Sequence, residues 1–238
     1  MNILITLCCR GGSKGIPGKN IKLLNGLPLL AYSIRHAKEF AASLTNVDIL
    51  LSTDDDAIKK VAQAHGLVTE YIRPDHLAND TAGKIEVLAD ALDYQEKTLQ
   101  KKYDILLDLD VTSPLRTQKD LNEGLEKLLE NKDALNLFSV SKPHKNPYFN
   151  VVEDAGDGYC KLVRPSDTLS RQTAPQVYDM NASFYFYRRV FFEHGCKSAI
   201  TQKSLYYLMD HICFDLDEPF DFNIMEYLLK NNKLEMDL

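Results

Sequence analysis

No apolar run in this 238-residue chain approaches the length of about eighteen residues that a membrane span requires. The run Ile3 to Cys9 is too short to span and lacks the small-residue cleavage site of a secretion signal, so a cytoplasmic protein without membrane partners is expected. Cysteine is scarce: five residues, an odd number, with Cys8 and Cys9 adjacent and Cys160, Cys196 and Cys213 far apart. That spacing gives neither a disulfide framework nor a zinc site, and the thiols are expected to pack in reduced form. Basic residues do not predominate either, since 28 Lys and Arg stand against 34 Asp and Glu for a net charge of −6. A general nucleic-acid binder is thereby excluded. The six histidines stand singly, without a pair at metal-ligand spacing, and no Gly-x-Ser-x-Gly elbow offers a serine nucleophile. Internal repeats and low-complexity tracts are absent.

With 45% hydrophobic and 26% charged residues, what remains is ordinary for a globular protein of one or two domains. Its most informative segment runs from Cys9 to Asn20 and holds Gly11, Gly12, Gly15 and Gly18 together with Arg10, Lys14 and Lys19. Glycines let backbone N–H groups approach an anion, and three cations neutralise more charge than one phosphate monoester carries. The implied ligand is a polyphosphate such as a nucleoside triphosphate. The segment is not a Walker A loop, because Asn20 follows Gly18-Lys19 and Pro17 interrupts the run, nor does it fit the Gly-x-Gly-x-x-Gly dinucleotide turn.

Short β-branched or leucine-rich runs alternate with amphipathic stretches along the first half. Strands are expected at Asn2 to Leu7, Val47 to Leu51, Val68 to Ile72, Asp104 to Leu109 and Leu135 to Val140, and helices at Pro28 to Ala42, Asp54 to His65, Lys84 to Gln100 and Gln118 to Glu130. This order predicts an α/β fold with a mostly parallel central sheet and helices on both faces, its ligands beyond the carboxyl ends of the strands. The rhythm breaks between Ser141 and Met180, which reads as an inserted arm. Strands resume at Ala182 to Arg188 and near Ile212 to Asp215, before a closing helix at Phe220 to Asn231. The expected division is a nucleotide-binding core at 1–140, an arm at 141–180 and a return to the core at 181–238.

Several polar groups fall at the expected ligand edge. Ser52 to Asp56 suits a helix cap, and its hydroxyls can equally face a nucleotide. Arg73 and the polar stretch Asp75 to Lys84, with Asn79, Asp80 and Thr81, can read a base edge or form a capped surface loop. Asp108 with Asp110, and Asp215 with Asp217, each place two carboxylates on one face of an extended segment, and at least one pair suits Mg²⁺. Arg164, Arg171, Gln172, Tyr178, Asn181 and Tyr185 gather around the end of the arm, where arginine can grip a carboxylate and amides can meet sugar hydroxyls.

These motifs together resemble the acylneuraminate cytidylyltransferases. The resemblance covers almost the whole chain and rests on Arg10 to Asn20, Ser52 to Asp55, Arg73-Pro74, Leu77 to Asp80, Thr112 to Arg116, Arg171-Gln172, Asn181-Ala182 and Asp215 to Asp217. It implies transfer of CMP from CTP to the anomeric hydroxyl of a nine-carbon 2-keto acid sugar, with Mg²⁺ and with release of pyrophosphate. It further implies that Arg10, Ser13, Lys14 and Lys19 meet the triphosphate, that Asn20, Arg73 and Asp80 surround the cytidine, and that Asp215 and Asp217 hold the metal. The sugar would meet Asp110, Thr112, Ser113, Arg171, Gln172, Asn181 and Tyr185. A homodimer is implied, the arm of one subunit reaching the other's site. One departure concerns Asp110, which stands where the family usually has a sugar-facing glutamine. The segments Asp108 to Arg116, Asn146 to Asn150 and Tyr178 to Ala182 look most like the branch that activates legionaminic acid. The alternatives are the N-acetylneuraminate enzyme, an enzyme for an eight-carbon acid or a sugar 1-phosphate, and a silent regulatory subunit.

Overall fold

The computed structural model describes residues 1–13, 15–234 and 236. In chain order the strands and helices are β1 (Ile3–Cys8), β2 (Leu23–Leu24), β3 (Leu27–Pro28), α1 (Leu29–Ala42), β4 (Val47–Ser52), α2 (Asp56–Ala64), α3 (Lys84–Leu99), β5 (Ile105–Leu109) and α4 (Gln118–Glu130). There follow β6 (Asn136–Ser141), β7 (Val152–Gly156), β8 (Tyr159–Leu162), β9 (Asp179–Arg188), α5 (Arg189–Glu193), β10 (Ser204–Leu208) and α6 (Pro219–Lys230). Six strands form one sheet in the order β10-β6-β9-β5-β1-β4, parallel except for β9, which runs antiparallel between β5 and β6.

Strand alternation divides the core. Ile3, Ile5 and Leu7 of β1 face the side covered by Leu30, Ile34 and Phe40 of α1, Ile58 of α2 and Leu121 of α4. Leu4 of β1 and Leu106 of β5 face the opposite side, covered by Ile85, Leu88 and Leu92 of α3 and Phe191 of α5. The chain leaves β1 for β4 on one flank and returns to β5 on the other, so the carboxyl ends of β1 and β5 open onto a topological switch point.

Two expected strands are absent. Residues 68–72 run beside β4 without a ladder, because the Thr69 hydroxyl donates to the Leu51 carbonyl at 3.1 Å and accepts the Tyr71 N–H at 3.2 Å. Side-chain bonds there replace backbone pairing. Residues 212–215 are part of an irregular strap, 212–217, whose Leu216 N–H donates to the Thr112 carbonyl at 2.9 Å. The parallel partner of β6 is instead β10, an edge strand that the sequence reading passed over. Within 141–180, β7 and β8 pair as an exposed hairpin.

Candidate active site

The chain emerging from β1 turns immediately into the glycine-rich loop. Gly18 opens a short 3₁₀ turn, Lys19–Ile21, with φ of 63°, a backbone region that costs most residues energy and glycine none. At Gly15 a Cβ would sit 2.3 Å from the Asp217 carbonyl oxygen, so a side chain there is incompatible with the strap. Asn20 is buried and its Nδ2 donates to the Arg10 carbonyl at 2.9 Å, which braces the loop from within. The Gly11 N–H donates to Asp54 at 3.1 Å, while Asp55 caps α2 by accepting the Ala57 N–H at 2.6 Å. The acidic run after β4 thus divides its labour between the helix and the loop. Ser13 donates its N–H to the Gly11 carbonyl at 3.0 Å, and Lys14 lies outside the described residues.

The loop cations face acids from distant segments. Arg10 pairs with Asp80 at 2.5 Å, joining the loop to the polar stretch after Arg73. Lys19 pairs with Asp217 at 3.0 Å and so brings the amino-terminal loop and the carboxyl-terminal strap into one cleft. Arg73 is buried and donates to the Ser52 hydroxyl at 3.0 Å and the Ser52 carbonyl at 2.7 Å, which fixes its guanidinium at the carboxyl end of β4.

A second layer descends from β5. Asp108 is fully buried, accepts the Thr6 hydroxyl at 2.9 Å and lies 2.9 Å from the Lys84 ammonium. Lys84 also reaches Asp110 at 3.3 Å. Asp110 accepts both the N–H and the hydroxyl of Thr112, each at 2.9 Å. Burial raises the Asp110 pKa, but Lys84 and the two Thr112 bonds outweigh it and hold the carboxyl below its usual range. Burial likewise disfavours the Lys84 ammonium, and Asp108 and Asp110 reverse that and keep it firmly protonated. Sequence reasoning placed Lys84 at the junction of the polar stretch with α3 and assigned it no role.

Asp215 accepts the Ser113 hydroxyl, and its pKa is pushed up to about 7 by burial and then by the negative charges of Asp110 and Asp217. Lys19 works in the opposite direction. Tyr185 stands beside Asp108 in the β5–β9 register, stacked on Tyr187 at 6.0 Å, and burial followed by Asp110 raises its pKa to about 12. Beneath these groups Arg116 is fully buried and donates to the carbonyls of Asp110 and Ser113 and the hydroxyls of Ser33 and Ser183. Two of its acceptors lie in the 110–115 loop, and the Ser33 and Ser183 hydroxyls in turn donate to carbonyls of that loop.

The residues expected at the sugar therefore separate. Asp110, Thr112 and Tyr185 come together at the cleft, whereas Ser113 is fully buried beneath it, its hydroxyl directed to the Asn181 carbonyl at 2.9 Å and to Asp215. Asn181 lies underneath, its amide occupied by the hydroxyls of Ser139 at 2.5 Å and Ser141 at 2.8 Å. Arg171 and Gln172 line a different groove, about 590 Å³, with Lys142, Lys145 and Tyr178, and its walls include none of the cleft residues named above. Arg171 donates there to the His144 carbonyl at 2.7 Å.

A mostly parallel sheet opening at its switch point onto a glycine-rich cationic loop is the architecture of a Rossmann-like nucleotidyltransferase. The solved structure of CMP:2-keto-3-deoxy-manno-octonic acid synthetase complexed with CTP shares this fold, with a TM-score of 0.66 over 98% of this chain and 100% of that one at 16% identity. The cytidylyltransferase family model matches residues 4–233, and the chain belongs to that family. Among its relatives are a CMP-N,N'-diacetyllegionaminic acid synthase of Campylobacter jejuni, 38% identical over 98% of this chain and 97% of that protein, and the post-translational flagellin modification protein B of Campylobacter coli, also 38% identical with the same coverage. N-acylneuraminate cytidylyltransferase A of Danio rerio is 29% identical over 94% of this chain and 50% of its own length. Among the described residues no helix is long and apolar enough to cross a membrane.

Proposed function

We propose that this enzyme transfers CMP from CTP to the anomeric hydroxyl of a nine-carbon nonulosonic acid of the legionaminic type, releasing pyrophosphate in the cytoplasm. The observation that carries this reading is the Lys19–Asp217 pair, which puts a cation of the glycine-rich loop and a carboxylate of the strap in a common cleft. The 38% identity to a CMP-N,N'-diacetyllegionaminic acid synthase favours that sugar over N-acetylneuraminate.

Arg10, Lys14 and Lys19 grip the β- and γ-phosphates and stabilise the departing pyrophosphate. Arg73 and Asn20, fixed from below, define the cytidine end. The sugar hydroxyl forms its bond to the α-phosphorus in line as the bond to the β-phosphate oxygen breaks, so positioning and charge do most of the catalytic work. Asp215 and Asp217 suit Mg²⁺: they are hard oxygen donors, and burial, followed by the charges of Asp110 and Asp217, raises the Asp215 pKa to about 7, a cost that a bound cation would offset. Among the described residues no group of three or more acidic, histidine or cysteine side chains is arranged to hold a metal, so phosphates and water would complete the shell. Bound there, the ion would neutralise phosphate charge.

The segment 141–180 fits a dimerisation arm: Tyr159 and Leu169 are largely exposed, and the groove with Arg171 and Gln172 suits completion of a site in a second subunit. Pyrophosphate release is the test, with CTP, Mg²⁺ and, in separate reactions, N,N'-diacetyllegionaminic acid, N-acetylneuraminic acid, an eight-carbon keto acid and a sugar 1-phosphate. Highest kcat/KM with the legionaminic acid is expected. Release only with the last two substrates, or with none, would overturn the assignment.

A further inference from the structure

The cleft turns the carboxylates of Asp110, Asp215 and Asp217, with Asp108 buried behind Asp110, toward a substrate that, on the functional reading above, is itself an acid. Lys84 bears on this conflict. It is the first residue of α3, the end of a helix where a cation is electrostatically disfavoured, so its placement there needs a compensating cause. Two carboxylates supply it: Asp108 at 2.9 Å and Asp110 at 3.3 Å.

The pair is also geometrically constrained. Asp108 is fully buried, with one oxygen on the Thr6 hydroxyl and the other beside Lys84. One oxygen of Asp110 takes both Thr112 donors and the other faces Lys84, so turning this carboxylate away breaks several bonds together. A lysine needed only to neutralise buried Asp108 has no reason to reach the cleft. The Lys84 side chain is 37% exposed and spans from the buried acid to Asp110, which is 22% exposed.

We propose that Lys84 is a positioning residue for the sugar acid: by bridging Asp108 and Asp110 it fixes the Asp110 carboxylate as an acceptor for sugar hydroxyl or N–H groups and offsets its charge, so that an anionic sugar binds beside it. This rests on the functional reading above, and it makes the departure at Asp110 one half of a matched pair.

The test compares the parent enzyme, K84M/D108N and K84M/D108N/D110N in steady-state assays with CTP and the nine-carbon acid. The D108N change removes the buried carboxylate that K84M alone would strand. K84M/D108N is expected to raise the sugar KM at least about tenfold, with the CTP KM and kcat within about threefold. Adding D110N is expected to lower the sugar KM at least about threefold below that of K84M/D108N, because the uncompensated charge is gone while the amide oxygen still accepts, without regaining the parent value. Raising salt from about 0.05 to 0.5 M should lower the sugar KM of K84M/D108N and leave that of the triple variant unchanged, because only the former carries an uncompensated charge. Lys84→Gln, a milder change, is expected to show the same salt-sensitive rise if K84M/D108N does not fold, and Lys84→Arg to stay near the parent. An unchanged sugar KM, or a rise that D110N does not reduce, overturns the role of Lys84 while leaving the functional reading intact. A parent that releases no pyrophosphate with any nonulosonic acid overturns the functional reading and this inference together.

Discussion

Lys19 and Asp217 meet at 3.0 Å although 198 residues separate them in the chain. The contact closes the sheet's carboxyl edge into a cleft with a cationic wall and an acidic wall. The Asp217 side chain is 69% exposed, so the bond adds little to stability and its significance is positional. Lys19→Ala is accordingly expected to leave the midpoint of urea unfolding nearly unchanged while lowering kcat/KM for CTP by about 100-fold.

Gly15 tests how tightly the loop must lie against the strap. Its absent Cβ would stand 2.3 Å from the Asp217 carbonyl, a contact that only backbone movement relieves. Gly15→Ala should raise the CTP KM by about tenfold through displacement of the loop cations, with a stability loss below about 1 kcal/mol because the loop is at the surface. Titration of CTP by calorimetry checks the first effect, and urea unfolding the second.

Arg116 tests the support beneath the site. Replacing it with Met removes four hydrogen bonds to two carbonyls and two hydroxyls in the interior, leaving the carbonyls only the longer serine contacts. A loss of about 3 kcal/mol or more is expected in urea unfolding, followed by loss of activity, since the 110–115 loop then lacks its anchor. Activity lost at full stability would instead mean that Arg116 acts on substrate.

Two histidines give opposite pH dependences. Burial, followed by the charges of Arg116 and Arg35, depresses the His36 pKa to about 3, so the unfolded chain binds a proton that the folded one refuses. The resulting stability is full above about pH 6.5 and falls by up to about 1.4 kcal/mol per pH unit as acid is added, until the folded pKa is reached. His211 lies 2.8 Å from Asp120, and although burial disfavours its charge, that bond and the Ile212 carbonyl raise its pKa. Its contribution is present below about pH 6.5 and is lost as the pH rises through the folded value. His36→Gln should flatten the acid limb of a stability profile measured by urea unfolding, and His211→Gln should remove the alkaline decline. A profile unchanged by either substitution would refute the corresponding assignment.

Hydrophobic periodicity made most of the sheet and its helices legible, and the clustering of cations with glycines marked the loop. Strands at 68–72 and 212–215 were misread because alternating exposure does not reveal whether a neighbour offers a backbone ladder: Thr69 takes up the Leu51 carbonyl, and the strap follows Thr112. The missed β10 is a short edge strand paired on one side only. At the site, residue type indicated chemistry but not which partner would claim it. Asn181 resembles a sugar ligand in sequence, yet its amide is occupied within the sheet, and Lys84 reads as an ordinary helix start, yet bridges two acids. Such assignments depend on contacts across tens to hundreds of residues, which spacing along the chain does not encode.

The central claim is that the loop cations and the strap acids act on one CTP molecule. A double-mutant cycle on kcat/KM for CTP with Lys19→Met and Asp217→Asn tests it most directly. If both groups serve the same triphosphate, the double variant loses less than the product of the single losses by about tenfold or more. Losses that multiply to within about twofold would show two independent sites and contradict the account.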